Sequence, residues 1–210
     1  MQILAHRGHW LIPEEKNSRQ ALHRAFLAGF GVETDVRDYG GVLVVSHDMP
    51  GHNAIPLSVV LQDYVQAGRP GMLAINIKSD GLTDVLQRQL MQYDITRYFC
   101  FDMSVPDTFP YLQCGMNAAA RLSEYEPEGE LSKRAPVLWV DGFQHLDVST
   151  EQLKIWLSKG KQVCLVSPEL HGRDHFSLWQ KLVTLPDELW EHPALMLCTD
   201  YPERAKEYFA

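Results

Sequence analysis

The segments MQILAHRG (1–8), SRQALHRAFLAGF (18–30) and GVETDV (31–36) decide the fold. Ile3-Leu4-Ala5 is a short apolar run, of strand length and too brief for a helix. From Ser18 to Phe30, Ala21, Leu22, Ala25 and Phe26 recur at helical spacing and make one apolar face. Asn17 or Ser18 stands where a cap would accept the first free N–H groups. Gly31 to Val36 then reads as a second strand. Strand, helix and strand in direct succession make a βαβ unit, whose two strands run parallel.

The same alternation runs outward from there. A Tyr39-Gly40-Gly41 turn leads to VLVVSH (42–47), which either extends the second unit or forms a small extra strand. LSVVLQDYVQA (57–67) reads as a helix and MLAINIK (72–78) as a strand. LTDVLQRQLMQY (82–93) is helical, YFCFDMS (98–104) is a strand, and a Pro-interrupted helix occupies 105–113. NAAARLSEY (117–125) is a strand, EPEGELSKR (126–134) a polar loop and VLWVDGF (137–143) a strand. TEQLKIWLSKG (150–160) is a helix that Gly160 ends. QVCLVSP (162–168), HFSLWQKLVTL (175–185), ALMLCTD (194–200) and PERAKEYF (202–209) complete the pattern. This amounts to about eight βα units with no linker between them, at about 26 residues each in a chain of 210. The expected fold is α/β: one compact (β/α)8 TIM barrel spanning residues 1–210, without a large inserted subdomain.

The net charge of −8 and the pI near 5.5 argue against nucleic acid or anionic lipid as a bulk partner. No basic-then-apolar leader opens the chain, and no run of about 18 apolar residues could span a membrane. Cys100, Cys164 and Cys198 lie in apolar runs, and Cys114 belongs to no CxxC pair. These read as reduced thiols in a cytoplasmic protein.

The strands end in HRG, ETD, SHD, NIK, FDMS, SEYE, VDGF, SPE and CTD. In a βα barrel the active site is built from those C-terminal strand ends. Helix caps account for Ser104, Ser149 and Asp200, but not for Glu33, Lys78 or the His6-Arg7 pair. Glu33 and Asp35 are two apart and share one strand face, where two carboxylates need a proton or a cation between them. A hard divalent metal would meet that need; salt bridges to Arg7 and Arg37 would meet it equally. His6 and His47, each ending a strand, are suited to divide acid and base work near neutral pH. Histidines 23, 52, 145, 171, 175 and 192 read as structural, while His9 stays in play beside His6. Arg7 offers a planar fork for a phosphate. Asn76 and Lys78 repeat the same-face spacing, with Lys78 either facing a phosphate or carboxylate or reaching out to solvent.

Ala5-His6-Arg7-Gly8, Asn17-Ser18, Glu33-Thr34-Asp35-Val36, Ser46-His47-Asp48 and Asn76-Ile77-Lys78 follow one another in an order that resembles the glycerophosphodiester phosphodiesterase family. That family belongs to the PLC-like phosphodiesterase TIM-barrel superfamily, with spider-venom sphingomyelinase D and phosphatidylinositol-specific phospholipase C. The resemblance is close over about the first 80 residues. It implies a metal-assisted phosphodiesterase that converts a glycerophosphodiester-like small molecule to an alcohol and a phosphomonoester resembling glycerol 3-phosphate. His6 and His47 would be its acid–base pair, and Arg7 and Lys78 would hold the phosphate. Glu33 and Asp35 would bind Mg or Ca. Two features depart from the family. Asn76 stands where a third acidic ligand is expected; its amide oxygen can ligate Mg or Ca but without the charge, so affinity should be lower unless Glu124, Asp102, Asp141 or Glu169 steps in. The stretch between His47 and Asn76 is also too short for the usual insertion. A lyase that stops at a cyclic phosphate, and a phosphate-binding barrel without turnover, are the alternatives.

Overall fold

The computed structural model describes residues 1–145 and 148–210, and strands and helices alternate along them. Two compact units form, one from Leu4–Ala118 and one from Met1–Ile3 with Ala119–Ala210.

The first unit contains β1 (Gln2–His6, from Leu4 on), α1 (Arg19–Leu27), β2 (Gly31–Tyr39), β3 (Val42–Val45), β4 (Ile55–Pro56), α2 (Leu57–Gln66), β5 (Leu73–Ile77), α3 (Thr83–Gln92), β6 (Tyr98–Phe101) and α4 (Val105–Gln113). β1, β2, β5 and β6 pair in that order, all parallel. Leu4, Val32, Ile75 and Phe99 are buried in these strands, and α1 and α2 bury Leu22, Phe26, Leu61 and Tyr64. The Phe26 and Tyr64 rings meet edge to face, 5.4 Å apart. Ser18 caps α1 by accepting the Ala21 N–H, which resolves the choice between Asn17 and Ser18.

β2 runs further than the sequence pattern suggests. Beyond Val36 it leaves the parallel pairing and takes β3 as an antiparallel partner, from Val36 opposite Val45 to Tyr39 opposite Val42. Gly40 and Gly41 close this hairpin with φ of 57° and 81°, left-handed values that suit a tight two-residue turn. Residues 42–45 are therefore an extra strand. Between His47 and Asn76 the regular elements are β4, α2 and the start of β5, with no further subdomain.

The second unit contains β7 (Ala119–Leu122), α5 (Glu130–Arg134), β8 (Val137–Val140), α6 (Thr150–Ser158), β9 (Gln162–Val166), α7 (Phe176–Val183), α8 (Asp187–Trp190), β10 (Leu195–Thr199) and α9 (Pro202–Tyr208). β7 to β10 pair consecutively and in parallel. Leu138, Leu165, Leu197 and Trp179 are at the centre of its core. Met1 joins this unit through its amino group, which donates to the Trp190 carbonyl at 2.7 Å. The stretch 126–134, expected to be a loop throughout, contains the short helix α5. Ser132 Oγ accepts the Gly129 N–H at 2.8 Å, and Lys133 pairs with Glu130 at 2.7 Å, so local polar contacts stabilise a turn that lacks apolar periodicity. Cys100, Cys164 and Cys198 are buried free thiols, as their apolar runs suggest, and Cys114 is exposed. Among the described residues, no helix is long and apolar enough to cross a membrane.

Gly8 fixes where α1 leaves β1. It has φ of 88°, and a Cβ there would lie 2.7 Å from the Ala21 carbonyl carbon and 2.8 Å from the Leu22 nitrogen. Both are helix backbone and cannot yield without shifting α1. Gly8→Ala is therefore expected to cost roughly 2–4 kcal/mol, from left-handed strain and overpacking together, measured by urea denaturation.

Candidate active site

The site in the first unit begins where β1 ends. Arg7 and Gly8 both take left-handed backbone, with φ of 56° and 88°. For Arg7, which carries a Cβ, that conformation costs about 1–2 kcal/mol. Hydrogen bonds offset the cost: the Arg7 N–H donates to the Glu33 carbonyl at 2.9 Å and reaches Glu33 Oε2 at 3.2 Å. The Arg7 carbonyl accepts the Asn17 N–H at 2.9 Å. The turn thus directs the Arg7 side chain back over β2.

Strand register brings the acidic residues together. His6 lies opposite Glu33 across β1 and β2, and Asp35 lies opposite Asn76 across β2 and β5. Parallel partners point to the same face, so Glu33, Asp35 and Asn76 share one surface. Asp35 is fully buried. Its Oδ2 is 2.9 Å from Arg7 Nε and accepts from Asn17 Nδ2 at 2.7 Å, while its Oδ1 is 3.4 Å from Lys78 Nζ. Asn17, with φ of 61°, also accepts from Thr34 Oγ1 at 2.8 Å through its own carbonyl oxygen. The sequence marks Asn17 as a motif member and possible cap, but its structural role is to hold Asp35 and Thr34 at once.

Glu33 is equally buried, and its carboxyl is pushed up to about 8. Burial is the main cause and the Asp35 charge the second; Arg7, Lys78 and a hydrogen bond from Asn76 work the other way. His6 Nε2 is 3.7 Å from Glu33 Oε2. Lys78 also approaches Asp102 Oδ2, at 3.8 Å. The need for compensating charge between the two carboxylates is therefore met in part by Arg7 and Lys78, and Arg37 instead donates to the His47 carbonyl at 3.0 Å.

His47 follows β3 on a loop that the Ser46 N–H ties to the Asp35 carbonyl at 3.0 Å. Its ring Nδ1 is 2.8 Å from Asp48 Oδ1, and the side chain is about half exposed, at 47%. Arg7, Lys16, Asn17, His47, Asp48 and Asn53 are among the residues lining a concavity of about 310 Å³. Arg7 and His47 therefore face one cavity, while His6 lies deeper, beside Glu33. The His9 ring meets Phe30 edge to face at 6.3 Å, and its carbonyl accepts from Arg24, both structural contacts.

Could these residues hold a divalent cation? Among the described residues, no group of three His, Cys, Asp or Glu side chains has metal-binding geometry. Glu33 and Asp35 instead have an amide as their third neighbour. Asn76 Oδ1 and Asp35 Oδ1 are both buried and without a hydrogen-bond partner. Two such oxygens on register partners beside the Glu33 carboxyl suit a hard cation, which takes carboxylate and amide oxygens alike. Glu124, in the other unit, is committed elsewhere. Its carboxylate accepts the N–H groups of Phe143, Gln144 and His145 at 3.0, 2.8 and 2.7 Å. These bonds hold its carboxyl down at about 2. In the same unit Asp141 pairs with His171 at 2.6 Å, and Glu169 accepts from Thr199 and the Asp200 N–H.

Solved structures share this arrangement of strands and helices. A candidate glycerophosphodiester phosphodiesterase from Galdieria sulphuraria matches with a TM-score of 0.75 at 16% identity, over 99% of this chain and 97% of its own. A glycerophosphodiester phosphodiesterase from Agrobacterium tumefaciens matches at 0.71 and 16%, over 99% and 98%. A phosphodiesterase from Oleispira antarctica, in complex with the product sn-glycerol-3-phosphate, matches at 0.69 and 17%, over 99% and 96%. The chain has the TIM-barrel fold of glycerophosphodiester phosphodiesterases. No protein-family model matches its sequence, and no curated protein does.

Two substitutions test this geometry. Asn17→Ala removes one buried hydrogen bond from Asp35 and one from Thr34, and a loss of roughly 2–3 kcal/mol is expected in urea denaturation. Glu124→Gln weakens the bonds to residues 143–145. Because the Glu124 carboxyl is depressed from 4.5 to about 2, its stabilisation is full above 4.5 and lost as pH falls towards 2. Wild type should exceed the variant in melting temperature at about pH 6, and the gap should narrow by about pH 3.

Proposed function

We propose that the chain is a phosphoric diester hydrolase acting on a glycerophosphodiester-like small molecule. It would release an alcohol and a phosphomonoester resembling glycerol 3-phosphate. The observation that carries this reading is the cavity shared by Arg7 and His47, with the buried Asp35 holding the Arg7 guanidinium and the Lys78 ammonium beside it. A guanidinium on the cavity and an ammonium beside the same carboxylate suit a phosphate, which Arg binds through its planar fork and Lys as a point charge. The order of motifs in the first 80 residues and the shared fold support the same reading.

In the proposed reaction, a hydroxyl of the substrate alcohol next to the ester attacks phosphorus. His47 acts as general base: an Nδ1–H donated to Asp48 would leave Nε2 free to take the hydroxyl proton. The P–O bond to the other alcohol breaks. His6 returns a proton to that leaving oxygen as the general acid. Water then opens the cyclic phosphate, with His6 and His47 in exchanged roles. Arg7 and Lys78 hold the phosphate oxygens throughout. A divalent cation, Mg or Ca, held by Glu33, Asp35 and Asn76 would add charge stabilisation against the non-bridging oxygens. A small phosphodiester as substrate and a cytoplasmic place, the latter consistent with the free buried thiols, complete the proposal.

Phosphorus NMR of purified protein with glycerophosphodiesters and added Mg or Ca should record a phosphomonoester. Arg7→Ala and His47→Ala should each lower kcat/KM by about 10²–10⁴. No cleavage with any diester or metal, or full activity in His47→Ala, would overturn the proposal. A product that remains cyclic would make the chain a lyase instead.

A further inference from the structure

The two oxygens of Asp35 are held very differently. Oδ2 is fixed by Arg7 at 2.9 Å and by Asn17 at 2.7 Å. Oδ1 is buried and has no hydrogen bond; its neighbour is the Lys78 ammonium at 3.4 Å, an electrostatic contact alone. The same ammonium is 3.8 Å from Asp102 Oδ2. Lys78 is anchored at its backbone, where its N–H donates to the Val36 carbonyl at 2.9 Å, but its side chain is a flexible four-carbon stem between two carboxylates.

We propose that Lys78 and a divalent cation are alternative partners of Asp35 Oδ1, and that cation binding shifts the Lys78 ammonium away from Asp35 towards Asp102. This rests on the reading of the site as one that takes a cation and a phosphate ester, and it assigns Lys78 a second task there. An ammonium at 3.4 Å from Asp35 Oδ1 occupies the space beside the one Asp35 oxygen without a hydrogen bond. A divalent charge bound to that oxygen would repel it strongly at such range. Without the cation, Lys78 neutralises a carboxylate that burial makes costly. With it, Lys78 is released from Asp35 and becomes available to a phosphate oxygen. Asn76 favours this exchange because its neutral amide adds an oxygen but no third negative charge, so Lys78 can compete with the cation. The two equilibria are then coupled: the cation raises affinity for a phosphomonoester, and the phosphomonoester raises affinity for the cation by the same factor.

Calorimetric titration of CaCl2 or MgCl2 into the protein without substrate tests this independently of turnover. Lys78→Met should bind the cation about tenfold more tightly than wild type, and Lys78→Arg, which keeps the charge, should stay near wild type. Asp102→Asn should weaken cation binding several-fold in the wild-type background and have a smaller effect in the Lys78→Met background, because the proposed exchange couples Asp102 to the cation through Lys78. The cation should strengthen sn-glycerol 3-phosphate binding in wild type, and this enhancement should be several-fold smaller in Lys78→Met. Equal or weaker cation binding by a folded Lys78→Met, or no cation binding by wild type and variant alike, would overturn the proposal. If cation binding follows the expected pattern while no diester is cleaved, the exchange stands and the hydrolase reading fails.

Discussion

Asp35 is a carboxylate with no exposed surface, and such a charge is tolerated only when positive groups and hydrogen-bond donors surround it. Arg7, Asn17 and Lys78 supply that compensation, each from a different part of the first unit. Arg7 comes from the end of β1, Asn17 from the residue before the α1 cap, and Lys78 from the residue after β5. One buried charge thereby ties the ends of the strands on either side of β2 to the start of a helix. Removing any one of the three would leave the others facing an under-compensated carboxylate.

The same requirement accounts for local backbone strain. Arg7 and Asn17 both adopt left-handed φ, which side chains bearing a Cβ rarely take. A backbone hydrogen bond joins the two residues, and both side chains end on Asp35. Strain of this kind persists where the surrounding contacts over-determine the conformation. Here the strained turn directs a guanidinium towards the cavity that His47 also lines, so local strain, buried charge and the proposed phosphate site are one arrangement.

Much of this is legible in the sequence because strand chemistry is simple. A two-residue repeat places Glu33 with Asp35, and Asn76 with Lys78, on shared faces; polar residues after apolar runs mark the strand ends. The register that sets Asp35 against Asn76 is a tertiary property and emerges only in the fold. Asn17 is harder to read, because an Asn before a helix looks like a cap while its amide in fact bonds a strand eighteen residues away. Glu124 misleads for a related reason: an acid at a strand end suggests a ligand, but its oxygens are taken by three loop N–H groups. The helix α5 has no apolar periodicity and is held by short-range polar contacts, so a polar stretch reads as loop.

The central claim is that the buried Asp35 presents Arg7 and Lys78 to a phosphate ester. A crystal structure of the protein with sn-glycerol 3-phosphate and Mg or Ca tests it most directly. The account predicts the phosphate in the cavity lined by Arg7 and His47, with the Arg7 guanidinium and the Lys78 ammonium both within hydrogen-bond distance of its oxygens. A ligand bound elsewhere, or one that leaves Arg7 and Lys78 untouched, would contradict it.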